Sequence, residues 1–370
     1  MALVKGYFED FVSEIRLTDP QISELKSAHT KLREWLREDV DAQAIYVSDF
    51  LQGSYRRGTA VRPKGDKRAD VDIIVVTNLD RNGWTPDEAI KRLEPFVERH
   101  YKGKWELQGR SIGISMSEVD LDLVLTSAPS EVVQEMVKSL SAQSDLTLEE
   151  AKSWRLSESW QPANRFVLAK AAEQAEWKTE PLWIPDRDAN TWEQTDPLEQ
   201  IKWTRDKNQN CGGLFVNVVK ALNWWKKPEP KYPKGYPVEH LIGSCCPDGI
   251  GSLAEGVTLS LENVVSRFAD EASRKETPYL KDHGVDQNVF GRVSGDDFAQ
   301  FYDQVKSAAT LARTALDEQD VAKSVKLWCE LFGEKFPKAP ESSGSGGKSN
   351  SGGGYTERSG PTTIRDGRFA

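Results

Sequence analysis

Two acidic residues interrupt a run of β-branched residues between positions 69 and 76, and this stretch constrains the fold most. It reads Ala-Asp-Val-Asp-Ile-Ile-Val-Val, an apolar pattern typical of a buried strand. Because side chains alternate along a strand, Asp70 and Asp72 leave the same face. Two carboxylates there repel one another and lose hydration, so the pattern favours a cation between them. Mg²⁺ is the predicted ion, with Mn²⁺ as the alternative, since such ions prefer carboxylate oxygens and bring substrate phosphates.

A glycine and a serine precede the two acids, at Gly53 and Ser54. A tight turn there offers backbone N–H groups and a hydroxyl, which suit a phosphate. A second strand of alternating acids and apolar residues follows at 118–125 and can lie beside the first. It offers Asp120 and Asp122 as a third acid. The two share a face, so spacing alone leaves both open.

The order of Gly-Ser, Asp-x-Asp and a later strand acid resembles that of the polymerase-β-like nucleotidyltransferases. Five wider blocks are similar to the cGAS/DncV-like nucleotidyltransferases of bacterial anti-phage systems. These blocks are residues 50–63, 70–76, 192–197, 219–226 and 234–239. The resemblance runs from about Leu17 to Phe332, which is nearly the whole predicted folded part.

The resemblance implies an α+β fold. Its polymerase-β-like core is a small mixed sheet with helices, followed by a helical C-terminal lobe, with the active site in the cleft between. The implied domains are a catalytic lobe at 1–180, a helical nucleotide-binding lobe at 181–338, and a Gly/Ser-rich tail at 339–370 that we expect to be disordered. Asp19 and Pro20 predict the cap and first turn of a long helix. The family resemblance implies that this helix packs across the back of both lobes.

The resemblance also assigns roles to single residues. The family places its third acid before a short apolar run that ends near a small residue or proline. Asp122, before Leu-Val-Leu and Ala128-Pro129, fits that pattern better than Asp120 does. Asp70, Asp72 and Asp122 are therefore the predicted catalytic residues and metal ligands.

Nucleotide binding is assigned in the same way to Gln52, Gly53, Ser54, Lys220 and Tyr236. Lys220 is implied to reach the triphosphate, and the alternative is a lysine that only snorkels to solvent. Tyr236 resembles the tyrosine that stacks on a bound base. The family commonly has Ser just before that tyrosine, where this chain has Gly235.

The function that the resemblance implies is metal-dependent synthesis of a cyclic di- or trinucleotide second messenger from ATP and other NTPs. The product would activate an effector in anti-phage defence. A linear-oligonucleotide or single-transfer nucleotidyltransferase is the alternative enzyme. An inactive sensor of nucleotides or nucleic acids is the alternative from another class.

Composition limits the partners and the compartment. The net charge of −9 over 370 residues counts against an extended nucleic-acid surface, since such proteins are usually basic. Four cysteines are too few for a disulfide framework and fit a reducing cytoplasm. We see no leader segment and no stretch that would span a bilayer. His240, Cys245 and Cys246 faintly resemble the zinc ribbon of animal cGAS, but zinc needs four ligands and buried thiols are favoured.

The composition of the chain changes after Phe336. Residues 342–354 are nearly all Ser and Gly, which predicts a flexible linker, and the final segment ends in Gly-Arg-Phe-Ala. A small residue on a long arm suits an active site that adenylates a carboxylate. Some family members are encoded beside ubiquitin-transfer-like enzymes that attach the synthase through its C-terminus. We therefore expect Ala370 to be the point of conjugation.

The conjugation hypothesis predicts the effect of a residue added after Ala370. Conjugation and phage defence in cells should be lost, because the carboxylate is displaced. NTP consumption in vitro should stay, because no predicted folded element depends on the tail. A C-terminal extension that leaves both cellular activities intact would show that the tail is only a loose end.

Overall fold

The described part of the chain is a mixed sheet with helices, followed by a run of helices. The structure, a computed structural model, describes residues 4–130, 134, 180–226, 233 and 235–340. The strands are β1 (Tyr46–Gln52), β2 (Ala69–Thr77), β3 (Trp105–Leu107), β4 (Ile112–Ser115), β5 (Val119–Thr126), β6 (Leu182–Asp186) and β7 (Thr191–Thr195). The helices before β6 are α1 (Lys5–Ile15), α2 (Asp19–Glu38), α3 (Val40–Gln43), α4 (Gly53–Arg57), α5 (Pro86–Lys91) and α6 (Glu94–Tyr101). Those after β7 are α7 (Pro197–Asn210), α8 (Phe215–Trp225), α9 (Tyr236–Cys245), α10 (Leu253–Arg267), α11 (Ala269–Arg274), α12 (Gly295–Asp317) and α13 (Val321–Phe332).

Five strands form the main sheet, in the order β1-β2-β5-β4-β3. β2 and β5 pair in parallel, and the other neighbours pair antiparallel, so the sheet is mixed. β6 and β7 form a separate antiparallel hairpin. The predicted α+β class is confirmed.

The two faces of the central strands carry different side chains. On one face, the odd-numbered apolar residues of β2 and β5 join a core cluster with α2, α5 and α6. On the other face the two strands begin with acids. They continue with Ile74, Val76 and Val124, which pack against Leu182 and Ile184 of β6. One half of this second face is therefore dry and apolar, and the other half carries the carboxylates.

The buried apolar side chains of helix α2 all pack against the sheet. This corrects the expectation that the helix packs across the back of both lobes. Leu25, Leu32 and Leu36 all lie in the sheet core. Its cap also differs from the prediction: Thr18 caps the helix and exchanges hydrogen bonds with Gln21, while Asp19 lies in the first turn.

The helix that supports the C-terminal helices from the N-terminal side is α1, which sequence reasoning missed. Phe8, Phe11, Val12 and Ile15 recur at helical spacing and join the helical core. The rings of Phe8 and Trp328 meet edge to face with centroids 4.9 Å apart. The start of the chain thereby packs against α13 near the other end of the folded part.

The described residues up to Ala339 form one compact unit. Within this unit, the helical core and the sheet cores are separate apolar clusters. The division into two lobes at residue 180 stays a prediction. None of the described helices is both long and apolar enough to cross a membrane.

A buried ion cluster fixes α2 to β1, and it predicts a stability effect. Asp49 is fully buried on β1 and pairs with Arg33, Arg37 and Tyr46; the contact from Arg37 Nη2 to Asp49 Oδ2 is 3.0 Å. Asp49→Ala leaves the buried Arg33 without its carboxylate, so the free energy of unfolding should fall by about 3–5 kcal/mol in urea denaturation.

Glu276→Ala is the matched control, because it removes an Arg–carboxylate pair whose two side chains are both 56% exposed. This change should leave the urea midpoint where it is. A loss below about 1 kcal/mol in Asp49→Ala would show that the cluster contributes no more than a surface pair.

Candidate active site

Four carboxylates lie on one face of the sheet where β2 and β5 begin. In the parallel register Asp72 stands opposite Asp122, and Asp70 stands opposite Asp120. Residues paired in this way point to the same side of a sheet. The structure therefore brings together the three acids that the sequence singled out.

Crowding and burial raise the pKa values of these acids. Burial, followed by the charges of Asp70 and Asp122, raises the pKa of Asp72 to about 7. Burial and the neighbouring Asp70 and Asp120 raise the pKa of Asp122 to about 6. The pKa of Asp70 is raised as well, first by burial and then by Asp120. The face is thus short of positive charge, and a cation would lower its electrostatic cost.

The structure separates Asp120 from Asp122. Arg68 Nη1 donates to Asp120 Oδ1 at 2.9 Å and to the carbonyl of Met116 at 2.8 Å. Asp120 already has a cationic partner of its own, whereas burial and other acids dominate around Asp122. This geometry favours Asp122 as the third acid.

The Gly-Ser turn approaches the acids so closely that only glycine fits. Gly53 has a φ of 75°, and a Cβ atom at this position would overlap the Asp72 carboxylate. Gln52 pairs with Asp72 across β1 and β2, so its side chain projects from the same face of the sheet as the acids. Ser54 is half-buried in α4, and its carbonyl accepts the N–H of Thr59 at 2.9 Å. Gln52 and Gly53 therefore border Asp72, and the assignment of Gln52, Gly53 and Ser54 to nucleotide binding stays a prediction.

Tyr236 opens α9, and two charged groups hold its ring. The hydroxyl donates to Asp282 Oδ1 at 2.6 Å, and the guanidinium carbon of Arg57 lies 5.0 Å from the ring centroid. The preceding Gly235 has a φ of 52°, a conformation that disfavours the serine found there in the family.

Sequence reasoning missed Arg57, Glu239 and Asp282. The cations between 56 and 68 favoured either a solvated loop or a contact with a triphosphate, and the triphosphate contact stays a prediction. Arg57 donates to Glu239, with Nε 2.6 Å from Oε1. The local signal was too weak to find this pair, because the two residues are 182 positions apart.

Lys220 lies on α8 and is 1% exposed. The alternative in which it snorkels to solvent is therefore wrong. A buried lysine needs hydrogen-bonding partners inside the protein, so this ammonium group is part of the interior.

Within the part of the chain that the structure describes, no three His, Cys, Asp or Glu side chains are already placed close enough to hold a metal. This applies to the acids and to His240 with the two neighbouring cysteines. The acid face still suits a divalent cation by its chemistry. It offers three carboxylate donors on one side, raised pKa values and the space that Gly53 leaves free. Ala370, the predicted conjugation point, lies outside the described residues.

Comparisons with known proteins agree with this site. The profile of the Second Messenger Oligonucleotide or Dinucleotide Synthetase domain matches residues 1–140. A cyclic AMP-AMP-GMP synthase of Enterobacter hormaechei subsp. hoffmannii is 44% identical over 98% of this chain and 98% of its own length. A probable cyclic AMP-AMP-GMP nucleotide synthase of Salmonella paratyphi B is 43% identical over 99% of this chain and 100% of its own length.

Among solved structures, the Vibrio cholerae cyclic AMP-GMP synthase DncV, a prokaryotic cGAS homolog, is similar with a TM-score of 0.61. The match covers 88% of this chain and 93% of the DncV chain at 12% sequence identity, so it supports the fold alone. The predicted polymerase-β-like nucleotidyltransferase core is thereby confirmed. The relatives that match over their whole length show that the chain belongs to the cGAS/DncV-like nucleotidyltransferases, enzymes that build cyclic oligonucleotides.

Proposed function

We propose that this enzyme joins two AMP units and one GMP unit into a cyclic trinucleotide, with ATP and GTP as substrates. The observation that carries the proposal is the match to two cyclic AMP-AMP-GMP synthases over at least 98% of the chain. A relative named cyclic AMP-AMP-AMP synthase, from Acinetobacter, is 27% identical over 90% of the chain. The higher identity favours the mixed product.

Asp70, Asp72 and Asp122 would hold the divalent cation, Mg²⁺ in our proposal and Mn²⁺ as the alternative. Such an ion lowers the pKa of an acceptor ribose hydroxyl and stabilises the departing pyrophosphate. The protein contributes the position of the three carboxylates, which the register of β2 and β5 fixes. Asp120 is not part of this set, because Arg68 holds it.

The other groups of the site bind and orient the nucleotide. Gly53 lets the backbone approach the acids, and the N–H and hydroxyl groups of Ser54 face the phosphates in our proposal. Lys220 adds positive charge toward the triphosphate from α8. Tyr236 provides a flat surface for a base, and stacking of this kind accepts any base.

We further propose that the enzyme acts in the cytoplasm, where NTPs are available, and that its product activates an effector in anti-phage defence. These assignments rest on the family alone. A phage plaque assay tests the defensive role. It compares cells that carry the wild-type chain with cells that carry the Asp72→Asn chain, in both cases together with the genes encoded beside it. Equal counts would contradict the defensive role.

Product analysis tests the proposed reaction. The protein is incubated with Mg²⁺ and the four NTPs, one labelled at a time, and the phosphatase-resistant product is examined by mass spectrometry. We expect label from ATP and GTP in a cyclic product with two adenines and one guanine. A phosphatase-sensitive product would indicate the linear alternative, and no NTP consumption without a partner would favour the sensor.

The metal site predicts an order of severity among acid variants. Asp122→Asn and the double change of Asp70 and Asp72 to Asn should lower turnover by at least about a hundredfold, because neutral amides hold Mg²⁺ poorly. Asp120→Asn should stay within about fivefold, because it removes only a partly exposed ion pair. Initial rates of pyrophosphate release measure this. The reverse order would move the third ligand to Asp120.

The raised pKa of Asp72 predicts that the acid face destabilises the protein when no cation is bound. Its pKa rises from 3.8 to about 7 on folding. The cost is therefore absent below pH 3.8, grows as the pH rises, and is complete above pH 7. At pH 8 in EDTA, Asp72→Asn should raise Tm by about 2–5 °C.

Thermal unfolding with and without Mg²⁺ measures this effect. Added Mg²⁺ should raise the Tm of the wild type but not that of Asp72→Asn. Asp120→Asn is the comparison and should bring a smaller gain, because it relieves some repulsion on Asp70 and Asp122 but also removes the ion pair of Asp120 with Arg68. A Tm of Asp72→Asn below that of the wild type in EDTA would contradict the repulsion.

A further inference from the structure

A buried ion pair joins two parts of the site that lie far apart in the sequence. Arg57 is the last residue of α4, the helix that begins at Gly53, and Glu239 lies in the first turn of α9 behind Tyr236. Nε and Nη2 of Arg57 donate to the two carboxylate oxygens of Glu239 at 2.6 and 3.3 Å. Both side chains are 5% exposed, so the pair is shielded from water.

Glu239 has a second donor from the same segment. Thr59 Oγ1 donates to Glu239 Oε2 at 2.8 Å. The N–H of Thr59 in turn donates to the carbonyl of Ser54 at 2.9 Å. The carboxylate is thus held by two side chains of the segment that follows the Gly-Ser turn. Charge-assisted bonds in a dry environment fix α9 relative to that turn.

Tyr236 is held by the same arrangement. The Arg57 guanidinium covers one face of its ring at 5.0 Å, within the range of a cation–π contact. The hydroxyl is bound to Asp282, which restricts tilting of the ring. A base that stacks on this ring would take the face opposite Arg57, and these two contacts fix the orientation of the ring.

We propose that Arg57 is a positioning residue that makes Tyr236 a rigid platform for the nucleobase and links base binding to the phosphate turn. The inference rests on the proposed function, in which Tyr236 stacks on a base. A fixed ring spares the ordering cost of stacking, so the platform raises affinity for the base and leaves the phosphate contacts as they are. The guanidinium fork is needed, because a lysine offers a point charge without bidentate geometry.

The test separates base binding from phosphate binding. One ligand is an ATP analogue with a methylene group in place of the α,β-bridging oxygen, which blocks transfer. The other is inorganic tripolyphosphate, which has no base. Dissociation constants for both are measured with Mg²⁺ by calorimetry, on the full chain. The dissociation constant for tripolyphosphate divided by that for the analogue reports how much the base adds to affinity.

In the double variant Arg57→Gln with Glu239→Gln, no charge is left buried without a partner. We expect the analogue to lose about tenfold in affinity, a large part of the gain from base stacking. Affinity for tripolyphosphate should stay within about twofold, since the double change removes one positive and one negative charge near Asp72 and keeps the acids and the residues of the Gly-Ser turn. Tyr236→Leu should lower the ratio at least as much, and the double variant added to it should cause no further fall.

The matched control is a second bidentate pair in the helical part. Arg313 on α12 donates to Glu262 on α10 at 2.7 and 2.6 Å. Changing both residues to Gln removes a pair of the same geometry. It should leave the ratio of dissociation constants unchanged.

The outcomes distinguish the inference from the proposed function. An unchanged ratio in the Arg57 and Glu239 double variant overturns the inference. Failure of both ligands to bind the wild type overturns the proposed function instead. If the double variant does not fold, Arg57→Lys carries the same test. It keeps the charge and loses the fork, and a ratio equal to that of the wild type overturns the proposal.

Discussion

The in-register parallel pairing of β2 with β5 is the constraint on which the site depends. Val71 and Ile73 pair with Leu121 and Leu123, and all four are fully buried in the sheet core. A slip of one residue would expose this apolar set and bury the acids. Each buried side chain contributes about 1.5–3 kcal/mol, so together they outweigh the repulsion among partly hydrated carboxylates. Apolar burial therefore sets the register, and the register places the acids.

The alternation of apolar and acidic residues predicts which face of a strand a side chain takes, but it does not identify the partners of that side chain. The alternation in β2 placed Asp70 and Asp72 on one face, and the structure agrees. The same rule could not separate Asp120 from Asp122, because residues two apart share a face. The structure distinguishes them through Arg68, a residue outside both strands. A charge partner of this kind leaves no periodic trace in the sequence.

Other parts of the site depend on contacts between distant segments. Tyr236 and Asp282 are 46 positions apart, and Arg57 and Glu239 are 182 apart. A run of cations after the Gly-Ser turn predicts either a solvated loop or phosphate contacts. A solvated loop does not describe Arg57, which is buried. The burial of Lys220 could not be predicted either, because its apolar neighbours on α8 do not reveal that the ammonium group itself is buried.

A rigid tyrosine explains affinity for a base better than it explains the choice of base. Stacking accepts adenine and guanine alike, so a product with two adenines and one guanine needs groups that read the edge of the base. Asp282 is largely committed already. Its Oδ1 accepts the Tyr236 hydroxyl at 2.6 Å and the His283 N–H at 2.7 Å, and Oδ2 accepts from Gln200 at 3.1 Å. With one oxygen fully used, this carboxylate serves to hold the platform. The platform thus supplies affinity common to both bases, and selection between them falls to groups that contact the edge of the base.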